Sequence, residues 1–172
     1  MTNPVLWIYE DSPEMQLRLR PLREHWEARG PGMLRHLQTL LPWIEAPSRI
    51  DVHLVEPQNG GGGFVAEDEI RFEAVLANRH PQLPEIVRLA WLIVCQSTKA
   101  TDMQALALIP PTLASAEYVE LSRCDEATIE MAMSEWLSAS SALTGSKLVQ
   151  WWNTANDASD QAAWNRQIEN LS

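Results

Sequence analysis

Cysteine, histidine and basic residues are all scarce in this sequence of 172 residues, and each shortage argues against a class of protein. The only cysteines are Cys95 and Cys124, which is too few for the disulfide framework of a small secreted domain. Histidine occurs four times, at positions 25, 36, 53 and 80, and no two histidines lie three or four residues apart. A zinc site on one helix needs that spacing, so we predict no metal and no cofactor.

Basic residues are outnumbered by acidic ones. Thirteen Lys and Arg residues stand against 23 Asp and Glu residues, a formal net charge of −10. Residues 1–49 contain six of each sign, so the whole excess lies in residues 50–172, with seven basic and 17 acidic groups. Nucleic acids and anionic membranes are bound mainly through Lys and Arg. We therefore expect neither as a partner.

Long hydrophobic runs are also absent. The longest, Ile86–Cys95, is interrupted by Arg88 and is far shorter than the roughly 18 to 20 residues that span a bilayer. Residues Met1–Glu10 have no basic region and only a short apolar stretch, unlike a signal peptide. A hydrophobic content of 45% is ordinary for a globular protein. We predict one cytoplasmic domain over residues 1–172.

The hydrophobic period changes along the first half of the chain. Val5–Tyr9 is rich in strand formers and predicts a first strand. Ser12 before Pro13 predicts a helix start, and Gly30-Pro31 predicts the end of that helix and the start of a second one. Pro21 predicts a kink within the first helix.

Residues 50–75 and the residues that follow complete the predicted fold. Apolar and polar residues alternate over 50–75, which predicts a strand and a hairpin. The run Ile86–Cys95 is apolar nearly all round, which predicts a buried central helix over about 84–97. Further helix starts are predicted at Thr101, Thr112, Asp125, Thr144 and Ser159. The sequence thus predicts an α+β domain, with a sheet of three or four strands on a central helix and a helical C-terminal half.

Motifs for catalysis are missing. The run Gly60–Gly63 leads into a strand and has no following Lys-Ser/Thr pair, so it does not form a phosphate-binding loop. A glycine loop beside an edge strand is, however, a common place for a peptide to add on. Acidic residues at 67, 69 and 73, and at 117 and 120, are expected on solvated faces, where a carboxylate lacks the burial or the partner that a catalytic group needs.

Tryptophan is unusually frequent, with eight residues in the chain. Trp151 and Trp152 are adjacent, and neighbouring residues of a helix point about 100° apart, so both rings cannot face one core stripe. We expect at least one to be exposed as a binding residue for a partner, with Asp157 and Asp160 nearby. The alternative is that a helix over 158–171 covers both rings.

One arrangement resembles a known family. A helix, a strand, a glycine-rich loop, a hairpin and a central helix, over roughly residues 31–120, look like the scaffold of zincin-type metallopeptidases. The zinc motif of that family is His-Glu-x-x-His, and the residues at the corresponding place here are Pro84-Glu85-Ile86-Val87-Arg88. Glu85 stands at the position of the catalytic glutamate, but Pro84 and Arg88 replace both ligands. The resemblance implies a metallopeptidase-like pseudoenzyme that has lost its metal.

Two hypotheses about function follow. The first is a non-catalytic domain that binds a protein or peptide partner, with Trp151 and Trp152 as binding residues. The alternative is a degenerate zincin-type domain in which Glu85 is a weak catalytic candidate.

Overall fold

The computed structural model describes residues 3–45, 47–56, 62–75, 80–137, 143–155 and 160–171. Within these ranges the elements are β1 (Val5–Ile8), α1 (Pro13–Leu40), β2 (Ile50–Val55), β3 (Gly63–Ala66), β4 (Glu69–Glu73), α2 (Glu85–Thr98), α3 (Asp102–Ala107), α4 (Ile109–Tyr118), α5 (Glu126–Trp136), α6 (Gly145–Ala155) and α7 (Gln161–Glu169). The predicted α+β class is confirmed, with a small sheet, a buried central helix and a helical C-terminal half.

Helix α1 is continuous over 28 residues, so the prediction of two helices separated at Gly30-Pro31 is wrong. Both Pro21 and Pro31 lie inside the helix. A proline leaves the carbonyl four residues earlier without its helical donor. Those carbonyls belong to Leu17 and Glu27, which are both exposed, so water can hydrate them. The two prolines therefore cost less than they would on the buried side.

The start of α1 is as predicted. Ser12 caps the helix, and its hydroxyl accepts a hydrogen bond from the Met15 backbone N–H at 3.2 Å. Eight buried residues then hold the helix against the core through both of its halves: Met15, Leu19, Leu22, Trp26, Gly30, Met33, Leu34 and Leu37. Burial of this continuous stripe offsets the two missing backbone hydrogen bonds.

The sheet has four strands in the order β1-β2-β4-β3. The β1–β2 and β2–β4 pairs are parallel, and β3–β4 is the predicted hairpin, which is antiparallel. One face is buried through Ile50, Val52, Leu54, Ile70 and Phe72, and α2 packs on β3 and β4. The other face carries charged side chains such as Asp51, Glu69 and Arg71, together with the exposed apolar residues Leu6 and Phe64.

Helix α2 occupies the centre of the molecule. Its residues from Ile86 to Cys95 are buried except for Arg88, which confirms the predicted central helix. The predicted helix starts at Asp125 and Thr144 are also confirmed, since α5 and α6 begin at the next residue. The predicted helix start at Thr101 is confirmed too, because the Thr101 backbone N–H donates a hydrogen bond to the Gln104 side chain at 2.8 Å.

Thr112 does not begin a helix. Helix α4 begins at Ile109, because Pro110 and Pro111 fit a first turn in which no N–H donors are needed. The Thr112 hydroxyl instead donates to the Leu108 carbonyl at 2.7 Å inside this helix. Ser159 lies outside the described residues, and Asp160 caps α7. None of the helices in the described ranges is both long and apolar enough to cross a membrane.

Candidate functional site

A groove of about 610 Å³ lies along β3, between this strand and helices α2, α3 and α5. We call it the β3 groove. Buried apolar side chains line its floor: Trp91, Leu92, Cys95, Ala105 and Trp136. More exposed residues line its rim: Gly63, Phe64, Val65, Glu67, Asp68, Gln96, Lys99, Ala100, Asp102 and Leu137. An apolar floor with a polar rim is typical of a binding surface.

Strand β3 presents a free backbone edge to the groove. The Glu73 N–H donates to the Gly62 carbonyl at 2.8 Å, and the register continues regularly to the pair Ala66–Glu69. In an antiparallel pair only alternate residues bond to the partner strand. Phe64 therefore faces β4 with its backbone groups, whereas the N–H and C=O of Gly63 and Val65 point away from β4. No strand of the described chain lies beyond β3.

Gly63 allows β3 to lie close to α2. A β-carbon at this position would be 2.8 Å from Leu92 Cδ1 and 3.2 Å from the carbonyl oxygen of Arg71. A larger residue would push β3 away from α2 and open the groove. The glycine run thus has a packing role at its last residue, in addition to any role as a connection.

Two stacked tryptophans form part of the floor of the groove. The rings of Trp91 and Trp136 stack with their centroids 5.1 Å apart and their planes at 29°. The Trp91 indole N–H donates to the buried Ala105 carbonyl at 2.8 Å, which fixes the orientation of that ring. A preformed floor loses little side-chain entropy when a ligand covers it.

The rim is acidic. Glu67 and Asp68 form the turn of the β3–β4 hairpin, where Glu67 adopts a positive φ of 51°, and Asp102 begins α3 on the other side. Among the described residues of the rim, Lys99 at the C-terminus of α2 is the single basic one. The sequence also predicts a turn at Glu67-Asp68 within the hairpin, and this prediction is confirmed. The groove therefore favours neutral or basic ligands.

Cys95 is a floor residue without nucleophilic character. Burial raises the pKa of its thiol well above the usual range, so the thiol stays protonated at neutral pH. Cys124 is half-buried, and burial together with the nearby Glu117 and Asp125 raises its pKa to about 11. Its Sγ donates to the Pro110 carbonyl at 3.3 Å. Both cysteines thus fill space, as predicted for Cys95.

Glu85 lies at the start of α2 and is largely buried. Its carboxylate accepts from the Val75 N–H at 3.3 Å and lies 4.0 Å from Arg88, which is itself 4.5 Å from the Phe72 ring centroid. Burial raises the pKa of Glu85, although the Val75 hydrogen bond and Arg88 oppose the shift. The surrounding cavity of about 30 Å³ has room for roughly one water molecule, not for a peptide substrate.

Arg88, which stands in place of the second zinc ligand, points into the same cavity. Burial lowers its pKa, although Glu85, Glu73 and Glu135 oppose the shift. His80 Nε2 lies 2.7 Å from Glu135 Oε1 at the wall of the cavity. Among the described residues no three His, Cys, Asp or Glu side chains converge as a metal site. The nearby carboxylates of Glu85, Glu73 and Glu135 partly offset the burial of the Arg88 charge.

Trp151 and Trp152 are both buried, with 7% and 9% of their surface exposed, so the expectation that one would be accessible is wrong. The two side chains do point in different directions from α6, but α6 packs on both α4 and α5. In addition, the ring centroid of Trp164 in α7 lies 6.0 Å from that of Trp151. Different neighbouring helices thus cover the two rings, although the rings cannot both face one core stripe. Asp157 lies outside the described residues. Both rings belong to the hydrophobic core of the described residues.

The outer face of the sheet brings together several of the carboxylates singled out in the sequence. Glu69 lies 3.0 Å from His53 and 2.8 Å from Arg71, and Asp51 lies 2.8 Å from Arg49. The pKa of Asp51 is lowered by its hydrogen bond from Arg49. Arg49, His53 and Arg71 thus partly offset the negative charge of this face.

Comparisons with protein-family models, with curated proteins and with solved structures found no match to this chain.

Proposed function

We propose that this protein is a non-catalytic cytoplasmic interaction domain that binds an extended segment of another polypeptide in the β3 groove. The observation that carries the proposal is the free backbone edge of β3 beside an apolar floor. The segment would add to the sheet as a fifth strand. Addition of a strand to an exposed edge is a recurrent mode of peptide recognition.

The backbone of β3 supplies the first part of the binding energy. The N–H and C=O groups of Gly63 and Val65 point away from β4 and would each pair with the added strand. A backbone hydrogen bond contributes about 0.5–1.5 kcal/mol net. Four such bonds do not by themselves outweigh the entropy lost on association, so side chains must contribute as well.

The groove supplies the second part. Gly63 and Val65 occupy positions on the inner face of the sheet, opposite the buried Phe72 and Ile70. Residues of an added strand that pair with Gly63 and Val65 would point their side chains to the same face, over Leu92. Each apolar side chain buried there contributes about 1.5–3 kcal/mol. The expected complex is weak and transient.

A neutral heptapeptide in which valine alternates with serine, blocked at both ends, tests the proposal. Titration into the labelled full chain should shift the amide resonances of Gly63 and Val65 more than those of Phe64 and Ala66, which bond to β4. Val65→Pro removes an outward N–H without disturbing the β3–β4 ladder. We expect it to weaken binding about tenfold.

Val65→Thr is the matched control, because it keeps the N–H and the β-branched shape and should retain binding. Circular dichroism and the spectrum of the free protein show whether Val65→Pro is folded. The proposal would be overturned by a folded Val65→Pro variant that binds like the wild type. It would equally be overturned if the peptide caused no shift at Gly63 or Val65 at millimolar concentration.

A further inference from the structure

The two faces of a strand added to β3 would meet different chemistry. Every second side chain would lie over the apolar floor of the β3 groove. The side chains between them would point to the outer face of the sheet, next to Phe64 and Ala66. The charges and shape of the outer face therefore determine which residue types fit the alternate positions of a ligand.

A shallow depression of about 470 Å³ lies on this outer face, beside Ala66. It is lined by four carboxylates, Asp51, Glu67, Asp68 and Glu69, and by His53 and Arg71. We call it the acidic depression. It shares Glu67 and Asp68 with the rim of the β3 groove, so the two surfaces are continuous around the β3–β4 turn.

The charges in the acidic depression are only partly compensated. Asp51 is paired with Arg49, and Glu69 with His53 and Arg71. Glu67 and Asp68 take part in none of the ion pairs of the described residues. Two uncompensated carboxylates thus stand where the alternate side chains of an added strand would extend.

We infer that the ligand is a basic amphipathic strand, in which apolar residues that face the floor alternate with Lys or Arg that reach the acidic depression. The inference rests on the proposed function and adds the charge of the partner. The long stems of Lys and Arg can pass over Ala66 while their charged ends meet Glu67 and Asp68. An acidic segment would meet like charge at the same place.

Three blocked heptapeptides test this inference. All have valine at alternate positions, and serine, lysine or glutamate fills the positions between. The lysine peptide should bind at least about fivefold more tightly than the serine peptide at low salt, and the glutamate peptide more weakly than both. The preference should shrink in about 0.5 M salt, because screening weakens exposed charge pairs.

A matched pair of variants separates a local effect from the general field of an acidic protein. The double substitution Glu67→Gln and Asp68→Asn removes two charges at the site, and Glu24→Gln and Glu27→Gln removes two exposed charges from α1. The first variant should lose most of the preference for lysine over serine, and the second should keep it. Equal losses in both variants would overturn the inference.

The outcomes also distinguish the two proposals. If all three peptides bind equally and Val65→Pro weakens each of them, the proposed function stands and the charge preference is wrong. If the serine peptide does not bind, or binds folded Val65→Pro unchanged, the proposed function itself fails.

Discussion

Two glycines flank Pro31 in the middle of α1, and alanine should change the stability of the protein in opposite directions at the two positions. At Gly30 a β-carbon would collide with the ring of Trp26, which is fully buried. At Gly32 the nearest atom is Val119 Cγ1 at 3.7 Å, an ordinary contact. The two substitutions are chemically identical and lie in the same helix, so each serves as the control for the other.

The magnitudes follow from three effects. Alanine in a helix interior is favoured over glycine by about 0.8–1 kcal/mol, which is all that Gly32→Ala should change. For Gly30→Ala, overpacking against Trp26 costs about 1–3 kcal/mol. Displacing this ring also strains its hydrogen bond to Asn3 Oδ1, at 2.9 Å, for a further loss of about 0.5–1.5 kcal/mol. The net loss for Gly30→Ala is therefore about 0.5–3.7 kcal/mol.

Urea unfolding, followed by tryptophan fluorescence and by far-ultraviolet circular dichroism, measures both changes. A Gly30→Ala protein as stable as the wild type would refute the close packing of Gly30 on Trp26. Equal destabilisation by Gly32→Ala would refute the continuous helix, because it would indicate a helix break in which both glycines are needed.

Four other predictions concern the core, the buried charge, the thiols and metal. Leu89→Ala and Ile93→Ala remove fully buried side chains of α2, and each should lower the free energy of unfolding in urea by about 2–5 kcal/mol; a loss below about 1 kcal/mol would contradict the central position of α2. Burial raises the pKa of Glu85 in the folded protein above its value in the unfolded chain. The stability that the protonated carboxyl group contributes is therefore fully present below the unfolded pKa, and it is lost as pH rises through the folded pKa. Glu85→Gln should therefore be more favourable relative to the wild type at about pH 8 than at about pH 4, and urea melts with no such trend would count against this burial. Cys95 should resist alkylation by iodoacetamide at about pH 8, and Cys124 should react more slowly than in urea, since a raised pKa and burial both reduce thiolate reactivity. Protein purified without chelator should contain no stoichiometric zinc by elemental analysis, and about one zinc per chain would contradict the prediction of no metal site.

Local patterns were sufficient to predict most of the elements. The alternation around Ile50 and Ile70 predicts strands because one face of each strand is buried. The run from Ile86 to Cys95 predicts a central helix because it is apolar nearly all round, with Arg88 as its one polar residue. Both patterns show directly which residues must be buried, and the folded protein buries those residues.

The errors at Gly30-Pro31 and at Trp151-Trp152 share a physical cause, which is that a local rule leaves out the direction of a side chain. Proline rules predict a break at Gly30-Pro31, but the helix continues because the hydrogen bonds lost at Pro21 and Pro31 lie on its exposed side. The angle between Trp151 and Trp152 is real, yet it does not predict exposure, because packing against several helices covers both rings.

The candidate site depends on strand order, which no local pattern contains. A hairpin could have either of its strands at the edge of the sheet. The order β1-β2-β4-β3 places β4 inside and β3 at the edge, next to α2. The sequence signal that pointed toward the site was the glycine run before Phe64, which indicates a close approach of backbone to a neighbour.

The free edge of β3 also has a consequence for the behaviour of the protein at high concentration. An unpaired strand can join the same strand of a second copy and begin a growing chain of molecules. Here the edge strand has only four residues, and Glu67 and Asp68 stand at its end. Like charges on two approaching copies oppose such pairing. The negative charge at the end of β3 therefore protects the same edge that is available to a partner.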